Sequence, residues 1–230
     1  MNYITDDGEV IKLPLFMKKI GEGEEGKIYQ YDYKTAIKVF KHIPKKELEQ
    51  KKEVSIELKK VATQNFIRPE KLLLSRKERY KAYTMPLIKL EDAKKLTEIK
   101  IITLIELLDE LYKDAKELAK TKCLISDYNP ENIVITDKIY FIDTTSYGLM
   151  PELTKEKVEK INRKRINYMI LSKRLHLELY YLQNKDYKVL KQIETFYRSF
   201  IENEYSSIQD FLEKESLKKY DNIKMQIKDL

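Results

Sequence analysis

The chain has 230 residues, enough to bury a sizeable core as one large domain or two small lobes. Charged residues make up 36% and the apolar set 42%, which excludes a disordered chain, and the longest apolar runs, such as Leu72-Leu73-Leu74, fall far short of a membrane span. One cysteine, Cys123, and two histidines, His42 and His176, exclude an internal disulfide and a His-rich metal site.

The N-terminus carries Asp6, Asp7 and Glu9 and no apolar h-region, so a cytoplasmic chain without a signal peptide is the expectation. Lys and Arg number 45 against 38 Asp and Glu, a formal charge of +7. Lysine and glutamate are interleaved along most of the chain, as in Lys45-Lys46-Glu47, which predicts solvated helix faces rather than a nucleic-acid stripe. Only Lys155 to Arg165 is lopsided, with six basic residues against two acidic, and it is the candidate surface for an anionic partner. Neither a membrane nor a nucleic acid is the expected partner.

Glycine is scarce. A chain of this length would ordinarily hold roughly sixteen; this one has five, and Gly21, Gly23 and Gly26 fall in one six-residue window. Glycine concentrated in this way requires either a positive φ or the close approach of another backbone or ligand. A dinucleotide fingerprint would need a helix to open at the last glycine. Instead the chain runs Lys27-Ile28-Tyr29-Gln30-Tyr31, a turn at Asp32-Tyr33-Lys34, then Thr35-Ala36-Ile37-Lys38-Val39-Phe40. This reads as strand, turn, strand, with Lys38 in the middle of the second strand.

Residues 44–62 read as a helix with Leu48, Val54, Ile56, Leu58 and Val61 as its apolar positions, and 72–74 and 80–85 as two more strands. Residues 99–119 carry the strongest helical stripe in the chain, Ile101, Leu104, Ile105, Leu108, Leu111, Ala115 and Leu118. Such a Leu/Ile stripe is core.

A glycine turn followed by a strand lysine is one part of a phosphoryl-transfer site. That site needs a carboxylate to orient an acceptor hydroxyl, and an amide plus a second carboxylate to hold Mg²⁺. Residues 123–148 supply all three. Asp127 and Asn132 lie five apart across a proline-containing loop, and a hairpin of 133–135 and 139–142 ends at Asp143. Beyond Pro151, whose expected place is the first position of a helix, the chain reads as helical. Val158, Ile161, Ile166, Met169, Ile170, Leu171, Leu175 and Leu179 make one long pattern, and Ser207 to Asp210 suggests a capping box.

In order and spacing these motifs resemble the protein kinase-like superfamily. Gly21-Glu22-Gly23-Glu24-Glu25-Gly26 with Ile28 matches GxGxxGxV, and Ala36-Ile37-Lys38 matches the strand-three lysine motif. Asp127-Tyr-Asn-Pro-Glu-Asn132 is similar to the catalytic loop D-L-K-P-E-N, and Asp143 stands where the DFG aspartate belongs. The resemblance covers residues 15–148 well and the last eighty or so poorly.

It implies an α+β bilobal fold: a small antiparallel sheet with one helix over 1–85, and a mainly helical lobe over 86–230. It implies that ATP binds along Gly21, Glu22, Gly23, Gly26, Ile28 and Ala36. Met85 would be the gatekeeper, and the Pro86-Leu87-Ile88 backbone would meet adenine. It implies catalytic roles for Lys38, Asp127 and Asn132, with Mg²⁺, or Mn²⁺ in its place, on Asn132 and Asp143. Glu53 would pair with Lys38, Glu57 being the alternative one turn on.

The chain also departs from the family. Ile125-Ser126 stands for His-Arg, Asn129 for the lysine near the γ-phosphate, and Thr144-Thr145 for Phe-Gly. Met150-Pro151-Glu152 follows Asp143 too closely for a usual activation segment. The implied activity is a minimal serine/threonine-type protein kinase acting on a protein hydroxyl. A small-molecule kinase of the aminoglycoside or choline type and a nucleotide-binding pseudokinase remain the alternatives.

Overall fold

The computed structural model describes residues 2–14, 16–89, 93, 101–127, 132–181 and 195, with only the backbone over 101–106 and 171–181. The expectations for Asn129, for the side chains of Ile101, Leu104, Ile105, Leu171, Leu175 and Leu179, and for Ser207 to Asp210 lie outside the described residues. The fold is α+β: a seven-stranded antiparallel sheet with one helix, followed by a helical region.

The strands are β1 (Asn2–Thr5), β2 (Val10–Lys12), β3 (Lys19–Glu22), β4 (Gly26–Gln30), β5 (Thr35–Phe40), β6 (Lys71–Leu74) and β7 (Tyr80–Pro86). They run in the order β2-β1-β6-β7-β5-β4-β3. The four strands expected around the glycine window and at 72–85 are thus all present. The β1–β2 hairpin is an addition to them, and it joins the sheet through β1 and β6 by pairing Ile4 with Leu74.

Side chains alternate between the two faces of a strand, and β5 is buried on both. Ile37 packs with Leu73, Ala82, Tyr3, Ile11 and Leu13 on one face. Ala36 and Phe40 pack with Leu72, Tyr80, Tyr83 and Met85 on the other. The β1–β2 hairpin therefore completes the core of one face, and Lys38 shares the opposite face with Ala36 and Phe40.

Helix α1 spans Lys45–Lys59 after Pro44, which sits at the N-cap, and the acidic Glu47 of its first turn suits the helix dipole. Its buried residues are Lys51, Val54, Ser55 and Leu58, a spacing of three, one and three that defines a single face. This corrects the expected stripe. Ile56 is 40% exposed, whereas Lys51 is 5% exposed and occupies the inward position one turn after Leu48.

Helix α2 (Ile101–Lys120) buries Leu108, Leu111, Tyr112, Ala115 and Leu118, much as its stripe predicts. Asp114 on the same helix is buried too. Its carboxylate accepts the backbone N–H of Gln64 at 3.0 Å and of Asn65 at 2.6 Å. Burial pushes its pKa above the ordinary carboxylate value, and those backbone donors oppose the shift. Through Asp114 the segment after α1 is tied to α2.

That segment also joins the sheet to the loops beyond α2. Strand β8 (Cys123–Leu124) precedes Asp127, and β9 (Ile133–Ile135) pairs with β10 (Ile139–Phe141) in the expected hairpin. Phe66 bridges in parallel to Phe141, their rings stacked at 4.5 Å, and the Ile67 N–H donates to the Phe141 carbonyl.

Pro151 is a correction. It lies in a turn, and helix α3 (Lys155–Tyr181) starts four residues later behind Thr154. The Thr154 hydroxyl accepts the Lys157 N–H, so a hydroxyl cap replaces the expected proline start. Among the described residues, no helix is long and apolar enough to cross a membrane.

Candidate active site

A cavity of about 530 Å³ opens between the glycine turn and the β9–β10 hairpin. Gly21, Glu22, Gly23 and Gly26 form its roof, and Ile28, Ala36, Met85 and Leu87 form its apolar wall. Lys38, Asp127, Asn132 and Asp143 supply its charged and polar end. The cavity thus gathers residues from Gly21 to Asp143, and within it Lys38 and Asp143, 105 positions apart in the chain, are in contact.

The roof depends on one close approach. A Cβ added at Gly26 would lie 2.7 Å from the Val39 carbonyl oxygen, whereas one added at Gly23 would meet nothing within 4 Å. None of the three glycines is among the residues with positive φ, so close backbone approach is the operative reason at Gly26. Gly26→Ala should cost about 1–3 kcal/mol through overpacking, and Gly23→Ala should leave stability within about 0.5 kcal/mol. Urea denaturation of the two variants checks this. Equal midpoints would contradict it.

Lysines outside the expected set hold the turn. Lys41 donates to the Gly23 carbonyl at 2.8 Å and pairs with Glu22, which also bonds Lys19 at 2.8 Å. Lys19, then Lys41, hold the Glu22 carboxyl down at about 2.

At the polar end, the Asn132 side-chain amide donates to Asp127 at 2.7 Å. That bond engages its nitrogen and leaves its oxygen to accept or to ligate. The Ile142 N–H donates to the Asn132 carbonyl at 2.9 Å, which sets Asn132 beside Asp143. Asp143 adopts the left-handed conformation, φ 58° and ψ 37°, which Asp tolerates better than most residues because its short side chain bonds locally. Its carboxylate accepts from Lys38 and from the Thr145 hydroxyl.

The pairing of Lys38 differs from the expectation. Glu53 is exposed on α1, and Glu57 pairs with Lys60. Lys38 instead meets Asp143 and, at 3.6 Å, Glu25 of the glycine turn. The inward position on α1 belongs to Lys51, which bonds Glu25 at 2.8 Å and the Ser146 hydroxyl at 3.0 Å. Charge is thus inverted here: the helix supplies the cation and the turn the carboxylate. The Leu87 N–H is also committed, donating to the Lys34 carbonyl at 2.7 Å, so of the expected adenine-facing backbone this donor is already used.

The approach to Asp127 is fixed from α3. The Asn162 amide accepts the Ile125 N–H and donates to the Cys123 carbonyl, both at 2.9 Å. One turn on, Arg165 donates to the Ile125 carbonyl. Arg163 pairs with Glu159 at 2.7 Å and lies over the Tyr112 ring. Both arginines of the basic stretch therefore make structural contacts within the fold, while Lys155, Lys157, Lys160 and Lys164 are exposed. The signal for Asn162 was its place among Val158 and Ile166 on one apolar face, where a polar residue needs buried partners.

The segment after Asp143 is short and hydrogen-bonded. A 3-10 turn at Thr144–Ser146 leads into β11 (Gly148–Leu149), which pairs with β8. Thr144, Thr145 and Tyr147 are buried, and the Thr144 hydroxyl donates to the Ile67 carbonyl at 2.6 Å. Cys123 is a buried free thiol whose pKa burial pushes up to about 12, an inert setting for a nucleophile.

Asp143 and Asn132 offer hard oxygen donors of the kind Mg²⁺ or Mn²⁺ takes together with phosphate oxygens. Among the described residues, no group of three or more His, Cys, Asp or Glu is arranged to hold a metal by itself. The chain matches no family model and no curated protein.

Proposed function

We propose that this chain is an ATP-dependent phosphotransferase with a kinase-like bilobal fold, transferring the γ-phosphate of Mg·ATP to a hydroxyl. The observation that carries the reading is the convergence of Lys38, Asp127, Asn132 and Asp143 on one cavity beneath a glycine turn. A solvated surface has no reason to collect these four residues beside a roof where Gly26 is sterically required.

The division of labour follows from position. The backbone of Gly21 to Gly26 covers the phosphates, and Ile28, Ala36 and Met85 offer an apolar bed for the base. Lys38 neutralises phosphate oxygens, and Asp127 orients the acceptor hydroxyl and takes its proton. Mg²⁺ or Mn²⁺, held by Asp143 and Asn132, would offset charge on the phosphates. Positioning and electrostatics supply most of the acceleration in such a site.

A minimal serine/threonine-type protein kinase is the first reading for the acceptor. A small-molecule acceptor is the second, and one observation favours it: the chain after Asp143 is taken up in a 3-10 turn and the β8–β11 pair, leaving little segment to seat a peptide. The burial of Thr144, Thr145 and Tyr147 also supports an enzyme that needs no phosphorylation there.

Nucleotide binding is the first test. A ligand at a hundredfold excess over its Kd stabilises the native state by about 2.7 kcal/mol, so Mg·ATP should raise the Tm clearly, and Lys38→Met should shrink the shift. Absence of any shift with millimolar ATP and either Mg²⁺ or Mn²⁺ would reject the nucleotide site. A radiolabel assay against the chain itself, a generic protein and a metabolite panel then separates the two acceptors.

A further inference from the structure

Two lysine ammonium groups, each on a residue only 5% exposed, flank one carboxylate at the end of the cavity. Lys51 Nζ lies 2.8 Å from one oxygen of Glu25, and Lys38 Nζ lies 3.6 Å from the other. Glu25 lines the cavity and Lys51 does not, so the carboxylate stands between Lys51 and the space a ligand would fill. Buried ammonium groups need an anionic partner, because leaving one unpaired is strongly unfavourable.

We propose that Glu25 is a resident carboxylate filling a two-lysine anion seat, and that a polyphosphate ligand displaces it, bringing Lys51 together with Lys38 onto the phosphates. The proposal rests on the phosphate-binding part of the function proposed above, not on group transfer.

Three observations make Glu25 the group that leaves. Its side chain is 30% exposed and so already reaches water, although it gives up Lys51 and the Ser146 hydroxyl on leaving, whereas both lysines are anchored on buried faces of β5 and α1. Its backbone is held in the turn between β3 and β4, the Lys41 N–H donating to the Glu25 carbonyl at 2.8 Å, so the exchange asks only the Glu25 side chain to swing. Its contact with Lys38 is an ion pair at 3.6 Å, while Lys38 keeps its closer bond to Asp143. Lys38 and Lys51 already meet three carboxylates, Glu25, Asp143 and, at 3.8 Å from Lys51, Glu47. A polyphosphate entering beside Glu25 would be repelled by it, and one replacing Glu25 brings more negative charge to the same two cations. Lys51 keeps the Ser146 hydroxyl and, at 3.8 Å, Glu47 as partners during the exchange.

The test uses calorimetry with metal-free inorganic tripolyphosphate on the full chain, at low and moderate salt. Glu25→Gln should tighten binding by roughly tenfold or more, the scale of a close charge pair. Glu25→Asp, one methylene shorter and still charged, should tighten it less, and it remains informative if the Gln variant does not fold. Lys51→Met should weaken binding, and in the double variant with Glu25→Gln the gain should vanish. Binding that is unchanged or weaker in both Glu25 variants would overturn the proposal and make Glu25 a tether that holds the turn in place.

The same measurements separate this inference from the nucleotide reading. If Mg·ATP raises the Tm while neither wild type nor variants bind tripolyphosphate, the anion seat is rejected and the nucleotide site stands. If tripolyphosphate behaves as described and Mg·ATP gives no shift, the seat stands and the nucleotide site falls.

Discussion

Asp127→Asn should cut phosphotransfer by roughly 10²–10⁴-fold, the range for a positioned base, while Mg·ATP affinity hardly changes. The substitution preserves shape, and the new amide oxygen can still accept the bond that Asn132 gives Asp127 at 2.7 Å. In the proposed reaction the loss is the carboxylate that takes the acceptor proton, an interaction made in the transition state and not with bound nucleotide. Asp143→Asn should behave differently, damaging both affinity and turnover, because it removes the carboxylate that pairs Lys38 and that, in the proposed site, would offer oxygen to the metal. Calorimetric nucleotide affinity set beside phosphotransfer rate for each variant separates the two roles. Wild-type turnover that survives Asp127→Asn would remove Asp127 from the catalytic position. Wild-type binding of Mg·ATP without detectable turnover would favour the pseudokinase alternative.

Phe66→Ala should be more destabilising than any change in the glycine turn, costing about 3–5 kcal/mol, the range for deleting a buried aromatic ring. Phe66 is 1% exposed, stacks on Phe141 at 4.5 Å and meets the edge of Tyr147 at 6.1 Å. It sits where the segment leaving α1 meets the β9–β10 hairpin, so its loss opens a cavity at the junction that positions Asn132 and Asp143. Ile56→Ala, on the exposed side of α1, should stay within about 0.5 kcal/mol. Urea midpoints at constant m-value make the comparison. A Phe66→Ala loss below about 1 kcal/mol would mean that this junction collapses around the missing ring.

The convergence of the candidate site residues is legible in the sequence because they sit in patterns that few backbone arrangements satisfy. Five glycines with three in one window, and the Asp127, Asn132 and Asp143 spacing across a loop and a hairpin, each restrict what the backbone can be doing. The charge inversion is not legible. Lys51 lies in a run of lysines and glutamates that reads as a solvated helix face, and only its place one turn after Leu48 and one turn before Val54 marks it as inward. Resemblance favours glutamates on α1, and it draws attention away from Glu25, in a turn that stands out for its glycines. The β1–β2 hairpin escapes a pattern search because its strands are short, although Gly8, at φ 87° between them, is a turn signal of the expected kind. Pro151 is misleading because proline opens helices so often, and here Thr154 supplies the cap instead.

The pairing of β8 with β11 sets where loss of the proposed activity can originate. The strand arriving at Asp127 and the strand departing from Asp143 are stitched together, Leu124 with Gly148 and Cys123 with Leu149, and Ser126 adds its hydroxyl to the Ser146 carbonyl at 2.9 Å. The two carboxylates are therefore the jaws of a single clasp whose rivet is Asn162, buried on α3 and absent from the cavity lining. Damage to that rivet would slacken both jaws together, so substitutions that abolish the proposed activity are expected on α3 as much as around the cavity.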